Sequence, residues 1–324
     1  MTPLRVAVWG LGRHGVRRIV PAVAAADGVE LAGVCGRDAE RTRDCAAEWR
    51  CRSWTEPDVM LHDAAIDVVF VATPTGSHAG HCARVLEAGK HAWCEKPLTT
   101  DKQSAQNLVD LSRARDRSLC EGHMHLHHPQ FQQLSRFVAE GRFGTIRSVT
   151  SRFGIPPLEF DSFRSDPARG GGALLDLGCY PIAAVHGLFP QAEQQVRYSR
   201  VSARDGAAVD TDGFAVLQLS NGVVAQFEWR TGTAYRNDLE IWGDDGSVFT
   251  DKIYSKPPDY VPVFRWRDRR GEETLEQGQP ADHFVNMLKS FGAAAADPRQ
   301  AEEERRRITW RAVALDDIRT KGNR

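Results

Sequence analysis

Short apolar runs alternate with segments of helical periodicity over about the first 120 residues. Apolar runs at residues 4–8, 29–34, 68–72 and 91–94 are typical of strands. After each run, apolar residues recur every three or four positions, as on one face of a helix, and the last of these helices is expected to begin after Thr100 as its N-cap. This alternation predicts a parallel sheet with helices on both faces.

Beyond Gly122 the pattern changes to consecutive strand-like segments. They lie at residues 145–153, 195–204, 212–220, 223–232, 237–243 and 246–253. Helical patterns lie at 129–140, 172–188, 281–295 and 300–318. Asn221-Gly222 between two strands is a signal for a two-residue hairpin, and short turns of this kind predict a mixed or antiparallel sheet. The expected architecture is α/β, with a Rossmann domain (a doubly wound parallel sheet) over 1–122 and a second α/β domain with a largely antiparallel open sheet over 123–324. In an alternative left open, the terminal helices pack back on the first domain.

Composition narrows the class of protein. Lys plus Arg number 42 and Asp plus Glu 43, so the formal net charge of −1 argues against a large nucleic-acid surface. No apolar run approaches the roughly 18 residues that span a bilayer. The N-terminus enters a strand pattern directly, without the apolar region of a signal peptide, and the seven cysteines lack CxxC spacing. We therefore predict a cytoplasmic protein that binds neither nucleic acid nor membrane and holds no structural metal.

A glycine-rich turn follows the first predicted strand and opens the first helix. It carries Gly10, Gly12 and Gly15, with Arg13 and His14 between them. Such glycines permit a tight turn and a close approach of a pyrophosphate, which then rests on the positive end of the helix. We interpret these five residues as part of a dinucleotide site, and the alternative is a purely structural turn.

The end of the second strand bears on which dinucleotide binds. A carboxylate here typically holds the ribose hydroxyls of NAD, whereas an arginine suits the 2′-phosphate of NADP. Gly36 occupies the expected carboxylate position and Arg37 follows it, which favours NADP over NAD. In the alternative interpretation, Arg37 is a solvated residue at a helix start whose N-cap is Asp38.

Two further loops follow parallel strands at their carboxyl ends, where open α/β sheets bind ligands. One contains Thr73, Pro74 and His78, and the other contains Glu95 and Lys96 followed by a proline. We count all five residues as candidates for contact with the cofactor. Lys96 is placed to direct its ammonium at a nicotinamide and a substrate oxygen, although most lysines are simply exposed at the surface.

These features resemble the glucose–fructose oxidoreductase/inositol dehydrogenase (Gfo/Idh/MocA) family. The match rests on GLGRHG at 10–15, VATPTGSHAGHCARVLEAGKHAWCEKPL at 71–98 and RGGGALLDLGCYPI at 169–182. The resemblance implies a Rossmann domain, a carboxy-terminal α/β domain whose open sheet often serves oligomerisation, and hydride-transfer chemistry. It also implies that Lys96 is the active-site lysine and that Pro74 and Glu95 lie against the cofactor.

The third segment supplies acid–base candidates. Asp176 and Tyr180 lie four residues apart, which places both on one face of a helix. Interconversion of an alcohol and a ketone needs a group that moves the hydroxyl proton while the hydride transfers. We assign this role to Tyr180, with Lys96 favouring its anionic form and Asp176 binding a substrate hydroxyl. The alternative makes Tyr180 a half-buried aromatic of the core.

Tyr180 also indicates a branch within the family that the chain resembles. Many members have histidine at this position and aspartate where Ala183 stands. The tyrosine-bearing branch includes dihydrodiol and pyranose dehydrogenases and the nucleotide-sugar 3-ketoreductases. Leu126 stands where dehydrogenases of this branch often have arginine, and residues 153–157 look closer to the ketoreductases of deoxysugar pathways.

Four histidines lie within six residues at the predicted domain boundary. Alternation along a strand would place His123, His125 and His127 on one face and His128 on the other. No carboxylate or cysteine is spaced to complete a metal site, so we favour a role in lining the substrate pocket over metal binding.

The favoured function is reduction by NADPH of a keto group on a sugar or nucleotide sugar, with NAD as the alternative cofactor. The runner-up is oxidation of a pyranose or a trans-dihydrodiol. A dinucleotide-sensing regulator without turnover is the alternative of another class. By analogy with the family, we expect a homo-oligomer, a dimer or a tetramer.

Overall fold

The first sheet contains the predicted dinucleotide loops. The computed structural model describes residues 2–157 and 163–321. Within them a parallel sheet of order β3-β2-β1-β4-β5-β6 forms from six strands. The strands are β1 (Leu4–Trp9), β2 (Val29–Cys35), β3 (Arg52–Trp54), β4 (Val68–Val71), β5 (His91–Glu95) and β6 (Leu119–Gly122). This order reverses direction between β1 and β4, which is the point where doubly wound sheets bind ligands.

Helices connect these strands. They are α1 (Val20–Ala25), α2 (Ala39–Trp49), α3 (Pro57–Leu61), α4 (Thr75–Glu87) and α5 (Lys102–Ala114), and a π-helical turn (Gly15–Ile19) leads into α1. All four residues of β4 are buried, as a central strand covered on both faces requires.

The second sheet is mostly antiparallel and open at both edges. Its described strands have the order β14-β13-β12-β11-β7-β10-β9-β8, and within it the pair β7/β10 is parallel. They are β7 (Ile146–Ile155), β8 (Gln194–Ser202), β9 (Asp212–Leu219), β10 (Val224–Thr231), β11 (Arg236–Gly243), β12 (Gly246–Asp251), β13 (Val263–Asp268) and β14 (Glu273–Gln277). Buried and exposed residues alternate along β9 and β10, so one face of the sheet packs on the core and the other does not.

The remaining helices are α6 (Pro129–Ala139), α7 (Cys179–Leu188), α8 (His283–Ala296) and α9 (Pro298–Lys321). Contacts divide the chain into one unit of Met1–Gly122 with Phe284–Thr309 and a second unit of His123–His283 with Trp310–Arg324. Within the first unit, Trp93 packs edge-on against Phe291, and Arg305 donates to the Ser112 hydroxyl. Residues of α8 and α9 therefore extend the core of the Rossmann domain.

The predicted α/β class and both kinds of sheet are confirmed, and several details differ. The N-cap of α5 is Asp101, whose carboxylate accepts from the Ser104 N–H, and not Thr100. The β9–β10 turn contains three residues instead of two, because Leu219 and Val223 still bond, and Gly222 adopts a φ of 91°. The predicted helix over 172–188 begins with a π-helical turn (Leu174–Gly178).

No described helix combines the length and the apolarity needed to cross a membrane. All seven cysteines are free thiols.

Candidate active site

The glycine loop at the end of β1 is shaped by its close neighbours. Gly10 has a φ of 120°, and a Cβ there would lie 2.6 Å from the Ala72 carbonyl of the β4 loop. A Cβ on Gly15 would lie 2.2 Å from the Gly10 oxygen. A Cβ on Gly12 would meet no described atom within 4 Å. Gly10 and Gly15 thus close the turn, whereas Gly12 leaves open space beside the backbone, as a bound pyrophosphate requires.

The end of β2 is compatible with both interpretations of Arg37. A Cβ on Gly36 would lie 2.7 Å from the Thr42 hydroxyl, so this glycine serves packing. Asp38 is the N-cap of α2 and accepts from the Arg41 N–H, as the alternative interpretation expected. Arg37 itself is exposed, and Arg13 and His14 of the glycine loop are exposed too. The Arg37 guanidinium therefore remains accessible to a phosphate.

The loop after β4 contains one buried and two half-buried candidates. Thr73 and Pro74 are half-buried, and Pro74 occupies the N-cap position of α4. His78 is only 1% exposed, and its two ring nitrogens lie against the Pro97 and Thr73 carbonyls. Because both nitrogens already have protein partners, His78 has no ring nitrogen left for a cofactor. This differs from the direct contact that we predicted for it.

The loop after β5 places Lys96 beside a buried carboxylate. Glu95 is 8% exposed and contacts the His14 ring nitrogen at 3.0 Å, which joins this loop to the glycine loop. Burial raises the pKa of the Glu95 carboxyl, but the charges of His14 and Lys96 outweigh burial, so its pKa lies below the ordinary value. The half-buried Lys96 follows at the end of the strand, where parallel sheets bind ligands.

Backbone constraints also define the segment that carries Asp176 and Tyr180. Gly172 has a φ of 122°, and a Cβ there would lie 2.2 Å from the Asp210 carboxylate. That carboxylate accepts from the Leu174 N–H at 2.6 Å at the start of the π-helical turn. Burial raises the pKa of Asp210. Gly172 therefore leaves room for the Asp210 carboxylate, which accepts a hydrogen bond at the start of the segment that carries Asp176 and Tyr180. The sequence did not indicate this contact.

Asp176 lies within the π-helical turn and is paired with a cation. The Arg164 guanidinium donates to its carboxylate at 2.7 Å. Short π-helical segments inside helices occur frequently at functional sites. The assumption of regular α-helical spacing between Asp176 and Tyr180 is wrong over this turn.

Tyr180 lies in a cluster of rings in the second unit. It is 6% exposed, its ring lies 5.1 Å from Phe153 and 5.3 Å from His125, and its hydroxyl approaches the Met124 sulfur at 3.8 Å. A second buried tyrosine, Tyr254, lies 5.4 Å from it and shares a short hydrogen bond with Ser151. The aromatic neighbours therefore fix the orientation of the Tyr180 ring.

The histidine segment does not form the predicted strand. Met124–His127 is a turn of 3-10 helix, so the strand alternation that we used to separate the four histidines is wrong. His125 is fully buried, and in the described part of the chain neither of its ring nitrogens has a hydrogen-bond partner. Burial lowers the pKa of His128 to about 3 and that of Lys256, a neighbour of this segment, to about 7.

Taken together, the first unit offers an open cradle beside a glycine loop and a lysine at a strand end. The second unit offers a constrained phenol and a carboxylate paired with arginine. A carbonyl reduction uses groups of these chemical types: a cradle for a dinucleotide, a cation, and a group with a transferable proton.

Two family models match the chain. The model "Oxidoreductase family, NAD-binding Rossmann fold" of GFO/IDH/MocA proteins matches residues 4–123, and the GFO/IDH/MocA C-terminal domain model matches residues 131–249. The chain belongs to this family. It is accordingly an oxidoreductase of the Gfo/Idh/MocA family with a dinucleotide-binding Rossmann domain, and the expectation drawn from its three motifs is confirmed.

Curated members of the family resemble the chain over nearly its whole length. It is 33% identical over 322 residues to the dTDP-3,4-didehydro-2,6-dideoxy-alpha-D-glucose 3-reductase of Actinomadura kijaniata, covering 98% of this chain and 95% of that protein. It is 28% identical over 302 residues to the D-xylose 1-dehydrogenase (NADP(+)) 2 of Haloferax volcanii, covering 92% of this chain and 91% of that protein.

Solved structures show a similar fold along the whole chain. A 3-ketoreductase from Actinomadura kijaniata, in complex with NADP and TDP-benzene, superposes on this oxidoreductase with a TM-score of 0.89 and 32% identity, covering 98% of both chains. Further structures of that enzyme carry a replacement of one lysine or of one tyrosine.

Proposed function

We propose that this oxidoreductase uses NADPH to reduce a keto group of a nucleotide-activated deoxysugar. The observation that carries the proposal is its similarity, over 98% of its length, to a reductase of a dTDP-linked keto sugar. The complex of the related 3-ketoreductase with NADP and TDP-benzene supports both the cofactor and a nucleotide-linked substrate. The open space at Gly12 supports binding of the dinucleotide.

In this proposal, Tyr180 and Lys96 serve the same reaction. When bound, the reduced nicotinamide supplies a hydride to the carbonyl carbon. The Tyr180 hydroxyl donates a proton to the carbonyl oxygen, and the Lys96 ammonium stabilises the charge that develops on that oxygen. Asp176, oriented by Arg164, accepts from a substrate hydroxyl. The net change is addition of a hydride and a proton across one C=O bond.

The solved variants of the related enzyme support this pairing. The lysine and the tyrosine replaced in them lie as far apart in that sequence as Lys96 and Tyr180 lie in this one. Lys96 and Tyr180 also lie in segments of this chain that carry family motifs. We therefore propose that Lys96 and Tyr180 correspond to those two residues.

The cofactor assignment predicts a role for Arg37. In a fluorescence titration, NADPH should bind at least about tenfold more tightly than NADH, since hydrogen bonds between charged groups contribute roughly 1.5–3 kcal/mol. Arg37→Ala should remove most of this preference, because the exposed guanidinium no longer meets the 2′-phosphate.

Arg43→Ala is the matched control, because Arg43 is also an exposed arginine and lies in α2, whereas Arg37 precedes that helix. It should leave both affinities within about twofold of the wild type. Tighter binding of NADH than of NADPH, or an unchanged preference in Arg37→Ala, contradicts the assignment to Arg37.

A second candidate is oxidation of a free pyranose, which the similarity to a D-xylose 1-dehydrogenase favours. The two functions differ in substrate and in direction. Consumption of NADPH with a pyrimidine-nucleotide-linked 3-keto sugar supports the reductase. Formation of NADPH from free pentoses or hexoses, with no turnover of the nucleotide sugar, supports the dehydrogenase.

We also propose that the enzyme is a cytoplasmic homo-oligomer, a dimer or a tetramer, assembled through the open face of the second sheet. The cross-strand register places four exposed apolar side chains on that same face. They are Tyr198 (49% exposed), Phe214 (40%), Trp242 (62%) and Leu275 (66%). The rings of Tyr198 and Phe214 lie 5.1 Å apart, and exposed apolar side chains grouped on one sheet face are typical of interaction surfaces. The free thiols suit a reducing compartment.

Trp242→Glu is expected to shift the protein to a smaller species in size-exclusion chromatography with light scattering, because it places a charge in the apolar interface. Val59→Glu changes a side chain that is 60% exposed in the first unit and should leave the mass unchanged. A monomeric wild type would contradict the proposed assembly.

A further inference from the structure

His78 occupies an unusual position in the first turn of α4. Its Nε2 lies 2.7 Å from the Thr73 carbonyl oxygen and its Nδ1 lies 2.9 Å from the Pro97 carbonyl oxygen. Thr73 lies in the loop after β4 and Pro97 in the loop after β5. One buried ring therefore joins the two loops that contain candidate cofactor contacts.

The chemistry of the two partners restricts the protonation of the ring. A carbonyl oxygen accepts hydrogen bonds and cannot donate one, so each contact needs an N–H on the ring. A neutral imidazole has a single N–H, and its other nitrogen would then point a lone pair at a carbonyl oxygen. The cationic imidazolium has two N–H groups and satisfies both contacts.

The surroundings of His78 oppose and favour this charge at the same time. Burial is the largest influence and brings the pKa of the ring below its ordinary value, although the Pro97 and Thr73 carbonyls raise it. The carboxylates of Glu95 and Glu121, which are 8% and 5% exposed, raise the pKa as well. The lowered pKa favours a neutral ring, but a neutral ring would place one lone pair against a carbonyl oxygen at hydrogen-bond distance, and only the imidazolium satisfies both contacts.

The position of His78 ties it to the lysine. His78 contacts the carbonyl of Pro97, which directly follows Lys96. The N–H of the next residue, Leu98, donates to the Glu121 carboxylate at 2.8 Å. On the other side, the Lys96 N–H donates to the Glu95 carboxylate at 3.3 Å. The backbone around Lys96 is thus held by three side chains, and His78 links it to the β4 loop.

We propose that His78 is a buried imidazolium in the folded enzyme and that it is a positioning residue for Lys96, holding the loop after β5 through the Pro97 carbonyl. The second half of this inference rests on the proposed role of Lys96 in carbonyl reduction. The first half concerns the protein alone and needs no turnover.

Imidazole nitrogen shifts in the NMR spectrum of the wild-type protein test the charge directly. At about pH 8, where an unperturbed histidine is neutral, one buried imidazole should still have both nitrogens protonated. His81, one turn further along α4, is the internal control, because burial lowers its pKa to about 4 and it contacts the Thr73 hydroxyl, which can donate or accept. His81 should be neutral at the same pH.

Assignment uses two variants. His78→Gln should remove the doubly protonated signal, and His14→Gln, which removes the imidazole on Glu95, should leave it in place. If no imidazole of the wild type is doubly protonated at about pH 8, the charge assignment is wrong whether or not the variants fold. If the signal disappears in His14→Gln and persists in His78→Gln, the imidazolium is His14 and the inference is also wrong.

Kinetics test the positioning role. The glutamine side chain keeps hydrogen-bonding groups but cannot bridge both carbonyls as a cation. His78→Gln should lower kcat about tenfold or more and weaken NADPH binding by a much smaller factor, since Lys96 is displaced while the glycine loop is intact. An unchanged kcat overturns the positioning role. An inactive wild type with a charged His78 would instead contradict the proposed function alone.

Discussion

Tyr180→Phe is expected to lower kcat by two orders of magnitude or more, with NADPH affinity and thermal stability nearly unchanged. Positioned acids and bases contribute roughly 10²–10⁴-fold to a rate, and the variant removes only the proton that the carbonyl oxygen needs. The phenylalanine ring keeps the packing against His125, Phe153 and Tyr254, so the fold has little reason to change. Steady-state kinetics with the keto sugar, together with a cofactor titration and a melting curve, measure the three quantities.

Tyr254→Phe provides the matched control. It removes a hydroxyl from the same ring cluster, one that bonds to Ser151 within the protein. Loss of that buried hydrogen bond should cost about 1–2 kcal/mol of stability and change kcat by less than about threefold. Equal loss of activity in both variants, or a Tyr180→Phe enzyme with near-normal turnover, would show that the Tyr180 hydroxyl is not the proton donor.

Lys96→Ala should lose activity to a similar degree because the stabilisation of charge on the carbonyl oxygen is lost. Combining it with Tyr180→Phe should cost much less than the product of the two single effects, since residues that act as a unit are not additive.

The periodicity of the chain predicted most of the fold because most elements bury one face or both. The unbroken run in β4 and the alternation in β9 and β10 are direct consequences of that burial. Strand β14 escaped prediction because it is an edge strand with most of its residues exposed, and β13 beside it has a single buried residue, so little apolar pattern remains in either. Strand β3 is short, with three residues, and has a single buried side chain.

Candidate site residues could be recognised only where they are neighbours in sequence. Lys96, Asp176 and Tyr180 lie in local motifs, and so do the glycines of the first loop. The contact of Asp210 with Leu174 joins positions that lie 36 residues apart, and no local pattern indicates it. The burial of Lys256 likewise arises from tertiary packing, because a lysine in sequence normally indicates surface.

Buried basic groups near Tyr180 should make the stability of the second unit strongly dependent on pH. Lys256 is 6% exposed, and its ammonium nitrogen bonds to the Ile253 carbonyl at 2.9 Å. Burial lowers its pKa from 10.5 to about 7, so folding releases a proton between these values. The unfolded chain binds more protons in this window, and the free energy of unfolding therefore rises with pH through it.

Lys256→Met isolates this effect because methionine keeps most of the side-chain length without a charge. Between about pH 7 and pH 8.5, wild-type stability should gain about 1.5 kcal/mol relative to the variant, since each pKa unit corresponds to about 1.36 kcal/mol. Urea unfolding followed by tryptophan fluorescence measures the difference. If the two proteins keep a constant difference over this range, Lys256 is charged in the folded state and its burial needs an anionic partner that stabilises the ammonium.

His128, in the same buried group as Lys256, determines how stability changes at acidic pH. Its pKa falls from 6.5 to about 3 on burial, so the protein should lose stability as the pH falls through this interval. His128→Asn keeps an acceptor for the Gln130 N–H that His128 now caps, but the new side chain cannot take up a proton. The variant should therefore lose about 1.5 kcal/mol less than the wild type between about pH 6.5 and pH 5. If the difference in unfolding free energy between the two proteins stays constant across that interval, the pKa of His128 is not lowered by its burial, and this prediction is wrong.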